Sequence, residues 1–124
     1  MLLVRTRVGP SSIHGLGVFA EEPIAAGAPV WEFTPGWDLE HDPAEVERLP
    51  PHVRAFLSHF GYVDPHLGGR VVLCFDHARY MNHSDAPNVA PDYARGRHGP
   101  DFAARDIAAG EELTVDYGLF DTPR

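Results

Sequence analysis

Three short segments crowd chemistry-bearing side chains at close spacing. The densest is Arg79-Tyr80-Met81-Asn82-His83-Ser84-Asp85-Ala86-Pro87-Asn88. Burying so many polar groups costs free energy unless each bonds something specific. Taken alone, the segment reads as an Asx-rich turn whose side chains satisfy the local backbone. The second, Ser12-Ile13-His14-Gly15-Leu16-Gly17-Val18-Phe19-Ala20, carries two glycines that let a ligand approach main-chain N–H and C=O groups closely. It lacks the third glycine and the following helix of a dinucleotide fingerprint. The third, Gly110-Glu111-Glu112-Leu113-Thr114-Val115-Asp116-Tyr117-Gly118, ends near a tyrosine, a residue with an apolar body and a polar tip. No obvious nucleophile–base pair is present. Eight histidines invite a metal reading, and His52, His59 and His66 recur every seven residues. That spacing is not i, i+4 and no H-E-x-x-H pattern exists, so surface or satisfied histidines are expected and no metal site.

Short strands must position these segments. Candidates are Leu2–Val8, Leu16–Ala20, Ala28–Phe33, Val71–Phe75, Asn88–Asp92, Phe102–Asp106 and Leu113–Tyr117, each bounded by Gly, Pro or Asp clusters. Residues 94–100 read as a hairpin loop. A helical insertion over about 42–61 interrupts them. Asp42, Pro43 and Glu45 have a capping-box arrangement. After Pro50-Pro51, the residues Val53, Phe56, Leu57 and Phe60 form one apolar stripe at helical period, which Gly61 ends. An internal echo is also present. Phe19-Ala20-Glu21-Glu22-Pro23-Ile24-Ala25-Ala26-Gly27 is matched at constant offset by Phe102-Ala103-Ala104-Arg105-Asp106-Ile107-Ala108-Ala109-Gly110. Two copies do not make a solenoid. They imply one strand–turn–strand unit used twice, hence small curled sheets.

The chain of 124 residues fits a single domain, 1–124, with 44% hydrophobic and 23% charged residues. All ten basic residues are arginine, against eighteen acidic ones, for a net charge of −8. That balance argues against a nucleic-acid backbone as partner and favours a cationic one. Cys74 is the only cysteine, so neither an intramolecular disulfide nor a multi-cysteine zinc site is expected. Early charge in Met-Leu-Leu-Val-Arg-Thr-Arg argues against a signal peptide, and no apolar run approaches a membrane span. A soluble cytoplasmic protein is expected.

In their order, the three segments resemble the SET domain, the family of AdoMet-dependent protein lysine methyltransferases. Residues 13–20, residues 79–84 with Pro87-Asn88, and residues 110–118 carry the resemblance, which runs from about residue 5 to residue 118. It implies a mostly β fold of several small curled sheets (β-clip-like), closed by a C-terminal pseudoknot, an exception to unthreaded topology. It also implies that Gly15, Leu16 and Gly17 hold S-adenosyl-L-methionine through their backbone. Arg79, Tyr80, Asn82 and His83 would shape its adenosine and methionine pocket, with Asn82 at the ligand's polar end. Tyr117 would be the catalytic tyrosine, and the substrate a lysine of a basic protein or peptide. The insertion would form one wall of the substrate groove.

Departures from the family's pattern set further expectations. Asp85 stands where many members place a zinc-binding cysteine, and seven residues follow Tyr117. The wall of the lysine channel is therefore expected from Gly118-Leu119-Phe120, from a second subunit in a homodimer, or from the substrate, or else it is missing. Val115 stands two before the tyrosine, where Phe or Tyr is common, and Phe33 where a second active-site tyrosine is common. Asp38, Glu40, Asp42, Glu45 and Glu47 cluster on the insertion and are expected to face a basic peptide or solvent. The rival function is a SET-like binding module that holds AdoMet or a basic partner without transferring methyl groups.

Overall fold

The computed structural model describes residues 1–123. Ten short strands form three small sheets. In chain order they are β1 (Thr6–Pro10), β2 (Leu16–Ala20), β3 (Pro29–Trp31), β4 (Leu39–His41), β5 (Tyr62–Asp64), β6 (Arg70–Leu73), β7 (Asn82–His83), β8 (Val89–Pro91), β9 (Asp101–Ala103) and β10 (Glu112–Val115). Two helices, α1 (Pro43–Glu47) and α2 (Pro51–Phe60), lie between β4 and β5. Every strand is five residues or fewer, as the Gly and Pro content demands.

The first sheet has the order β1-β2-β10-β7. β10 runs antiparallel to β2, with Leu113 opposite Val18, and parallel to β7, with Thr114 opposite Asn82 and Val115 opposite His83. The last strand is thus inserted between two earlier ones. This is the spatial convergence that the expected C-terminal threading required. The other sheets are β3-β9-β8 and β4-β6-β5. Residues 94–100 do form the loop joining the antiparallel pair β8 and β9. Val18, Val30, Val89, Ile107 and Leu113 are fully buried in the core between the sheets.

The echo in the sequence is a contact in space. Ile24 and Ile107 exchange both backbone hydrogen bonds, at 2.9 and 2.8 Å. Gly27 N–H donates to the Ala103 carbonyl at 2.8 Å, and its counterpart Gly110 donates to Ala20 at 2.7 Å. Ala28 N–H closes a turn on Ala25, as Glu111 does on Ala108. Both glycines need positive φ, 82° and 85°, which explains why each copy ends on one. The two units pack as an approximate two-fold pair.

Several expectations need correction. Residues 2–5 are not strand; instead the Leu2 N–H donates to Asp76 Oδ2 at 2.7 Å and the Leu3 N–H to the Val30 carbonyl at 2.8 Å. β4, β5 and β7, of two or three residues each, have no counterpart among the expected strands. The insertion is helical where expected. Asp42 caps α1 by accepting from the Ala44 N–H at 2.8 Å, behind Pro43 at the first position. On α2 only Leu57 is buried, and Phe56 is 41% exposed. The apolar stripe exceeds what the helix packs, since Phe56 instead lies against Phe60 and beneath the Arg79 guanidinium.

Candidate active site

The parallel pairing of β7 with β10 brings Asn82-His83 beside Tyr117. His83 Nδ1 accepts from the Tyr117 N–H at 3.0 Å, which leaves its Nε2–H to donate to Asp85 Oδ1 at 2.9 Å. The two rings lie 5.3 Å apart. His83 therefore anchors the backbone of the tyrosine. The Tyr117 hydroxyl donates to the Met81 carbonyl at 2.5 Å. Burial, and then the charge of Asp121, hold its pKa above the ordinary phenol value, so it stays protonated at neutral pH. Its O–H is spent on Met81, and the remaining oxygen lone pairs can accept.

Asn82 closes the other end of the arrangement. Its Nδ2 lies 3.0 Å from the His14 carbonyl, 3.1 Å from the Leu16 carbonyl, 3.1 Å from Ser11 Oγ and 2.9 Å from Glu112 Oε2. An amide nitrogen has two hydrogens, so these acceptors outnumber the donors. Carbonyl and carboxylate oxygens with lone pairs to spare suit a ligand's ammonium group. The glycines serve this convergence differently. Gly15 has φ +45° and open space where a side chain would stand. A Cβ on Gly17 would collide with the Glu112 carboxylate, so a side chain there would push that carboxylate off Ser11 and Asn82. Leu16 is half-exposed and contributes its carbonyl. On this donor set, the ammonium end of AdoMet fits the residues present.

A cavity opens where the three sheets meet. The first sheet and its flanks supply Met81, Val115 and Tyr117; the second supplies Trp31, Pro91 and Asp101. Tyr62, Tyr93 and Phe120 complete the aromatic wall, and His59-Phe60-Gly61 at the end of the insertion join it. Of residues 118–120, Phe120 lines this cavity, its ring meeting Tyr62 at 5.0 Å and Tyr117 at 5.9 Å. Tyr62 and Tyr93 both have raised pKa values, burial being the first cause, and Tyr93 donates to Asp64 Oδ2 at 2.7 Å. Sequence reasoning missed Tyr62, Tyr93, Trp31 and Asp101, because cross-sheet geometry alone brings them to the cavity.

Other singled-out residues make contacts of their own. Arg79 lines the cavity, but its Nε donates to the Cys74 carbonyl at 3.0 Å and its Nη2 to Phe75 at 2.9 Å, stapling its own turn. Tyr80 packs edge-on against Phe60 of α2. Phe33 stacks on His98 at 3.8 Å and does not line the cavity, whereas Tyr62 and Tyr93 do. The acidic cluster is no open face. Asp38 is buried and accepts from the N-terminus, Thr34 and Phe75; Glu40 pairs with Arg70 and Arg97; Asp42 caps α1. Only Glu45 and Glu47 of the five are exposed. Among the described residues no group of three or more His, Cys, Asp or Glu is arranged to hold a metal, and no helix is long and apolar enough to cross a membrane.

The SET-domain family model matches residues 15–118. The chain belongs to the SET-domain family. It is 39% identical over 121 residues to "Probable histone-lysine N-methyltransferase set-23" of Caenorhabditis elegans, a match covering 84% of this chain and 46% of that protein. The chain spans about half the length of the first curated relatives it matches. Among solved structures it resembles the Neurospora SET domain protein DIM-5, a histone lysine methyltransferase, with TM-score 0.62 and 25% identity over 94% of this chain and 53% of that one. It also resembles a chain of ctPRC2 in an autoinhibited conformation bound to S-adenosylmethionine, the Polycomb Repressive Complex 2 of Chaetomium thermophilum. There the TM-score is 0.66 with 28% identity, covering 96% of this chain and 16% of that one. These SET-domain likenesses agree with the mostly β architecture of small sheets described above.

Proposed function

We propose that this chain is an AdoMet-dependent methyltransferase acting on a lysine side chain of a basic protein or peptide, in the cytoplasm. The observation that carries the reading is the Tyr117 hydroxyl held on the Met81 carbonyl in a cavity wall, one residue from Asn82. In this reading the carbonyls of His14 and Leu16, with Asn82 and Glu112, take the ammonium end of the methyl donor. Gly15 and Gly17 give it room. When bound, the donor supplies an electrophilic methyl on sulfur. The residues of the chain do the rest by positioning, with reacting atoms held about 3–3.5 Å apart.

A free lysine has a pKa of about 10.4 and must lose its proton to attack. A cavity walled by Tyr62, Tyr93, Val115 and Phe120 disfavours the ammonium form. Tyr117, its hydrogen committed to Met81, accepts an N–H of the neutral amine and so turns the nitrogen lone pair toward the methyl group. The names of these relatives, histone-lysine methyltransferases, favour a basic protein as substrate.

The test is a labelled-methyl assay on basic proteins with wild type and Tyr117→Phe, beside calorimetry with AdoMet. The expected outcome is transfer by wild type, a fall of about 10²-fold in the variant, as misplacing a reacting group brings, and donor affinity unchanged. Equal rates would overturn the role of Tyr117. Donor binding with no transfer by wild type would leave a SET-like binding module.

A further inference from the structure

Asp101 is the one carboxylate that the wall of the cavity takes from the second sheet. It is the middle member of a row across that sheet, Pro91–Asp101–Trp31, and all three residues line the cavity. The row depends on an irregularity. Phe102 pairs with Pro29, yet Asp101 pairs with Trp31, so one residue of β3 is passed over. A bulge of this kind re-aims a side chain, and without it Val30 would stand opposite Asp101. Among the described residues the half-buried Asp101 carboxylate has no hydrogen bond and no ion pair, unlike the buried Asp38 and Asp64 and the half-buried Glu40. Its neighbour in the row is also unsatisfied: Trp31 is 3% exposed and its Nε1–H has no partner. A carboxylate without a hydrogen bond beside an orphaned indole N–H leaves both groups open to a partner from the cavity. Burial pushes the Asp101 carboxyl up to about 7, against the opposing pull of the N-terminal ammonium.

We propose that Asp101 is the cation-receiving residue of this channel: its carboxylate pairs with the incoming alkylammonium and takes the proton the amine must lose. In that step one N–H bond breaks with its electron pair left on nitrogen, and an O–H bond forms on the carboxyl. The proton passes to solvent when the amine leaves. The proton-transfer half rests on the methyltransferase reading above; the cation-binding half does not. The assignment gives the channel a selection rule, since a neutral side chain of the same length leaves Asp101 unpaired while an ammonium satisfies it.

The experiment is calorimetry without methyl donor, using n-butylammonium and a short lysine peptide as probes, with 1-pentanol and the same peptide carrying norleucine as neutral controls. Wild type is expected to bind both cations, Asp101→Asn to bind them at least tenfold more weakly, and the neutral controls to be indifferent to the substitution. Asp101→Glu, which keeps the charge, should retain the preference for cations, and thermal melts report that each variant folds. Failure of wild type to bind n-butylammonium, or equal binding by wild type and Asp101→Asn, overturns the proposal. Methyl transfer is read separately. Cation binding lost in Asp101→Asn with no transfer by wild type sinks the methyltransferase reading, and the proton-transfer half with it, and leaves the cation-binding half standing. Transfer with an unchanged KM for the lysine peptide in Asp101→Asn sinks this one alone.

Discussion

The side chain of Asn88 accepts from the Thr114 N–H at 2.8 Å and donates to the Glu112 carbonyl at 2.8 Å. It satisfies the backbone of β10 as a strand would, from a residue that is 1% exposed. Asn88→Ala would leave a buried N–H and a buried carbonyl unpaired, at about 1–3 kcal/mol for each group. A loss of roughly 2–6 kcal/mol in urea denaturation is expected, with the midpoint falling and the slope little changed. At this scale the sequence was partly legible. Asn82, His83 and Tyr117 announce themselves by type and spacing, and the fold gathers them. What else each does is not legible: nothing in the sequence shows that His83, expected to shape a ligand pocket, also holds the tyrosine's backbone. Asp101 and Tyr93 carry no local signal, because what distinguishes them is the wall they face.

Glu40 of β4 ties the insertion to the loop between β8 and β9. Arg97 approaches it at 2.7 Å, Arg70 at 3.1 Å and His98 at 3.4 Å. Its hydrogen bond with Arg97, followed by His98, lowers its pKa from the ordinary 4.5 to about 2 against the opposing effect of burial. A carboxylate held down in the folded state contributes stability above its unfolded pKa and loses it as pH falls through the folded value. Wild type should therefore lose melting temperature between about pH 4.5 and pH 2 more steeply than Glu40→Gln. Parallel slopes over that window would refute the assignment. The same loop carries His98 and Gly99 into the cavity wall, so this cluster positions the site as well as the insertion. Element types followed from turn residues and periodicity. The fate of the acidic cluster did not, because nothing local tells a solvated carboxylate from one whose partners lie 57 residues away.

The molecule as a whole is organised about the pairing of its two echoing units. Ile24 and Ile107 meet at the centre, each unit's terminal glycine donates to the other unit, and β2 and β9 emerge from equivalent positions. One emerges beside Asn82 through the first sheet, the other carries Asp101 into the cavity. The repeat was visible in the sequence, but its self-contact could not be, since a repeat specifies a unit and not the docking of two units. The symmetry makes a quantitative demand. Gly27 and Gly110 have φ of 82° and 85°, and a methyl group added to either would meet no atom within 4 Å, so substitution by alanine costs only the left-handed backbone. That cost is about 1–2 kcal/mol. Gly27→Ala and Gly110→Ala should destabilise the protein by amounts equal within about 0.5 kcal/mol, and the double variant by their sum, because the two turns donate to different carbonyls. Chemical denaturation of the three variants measures this. Markedly unequal single costs would mean that the two units, alike in hydrogen bonding, bear unequal loads in holding the cavity together.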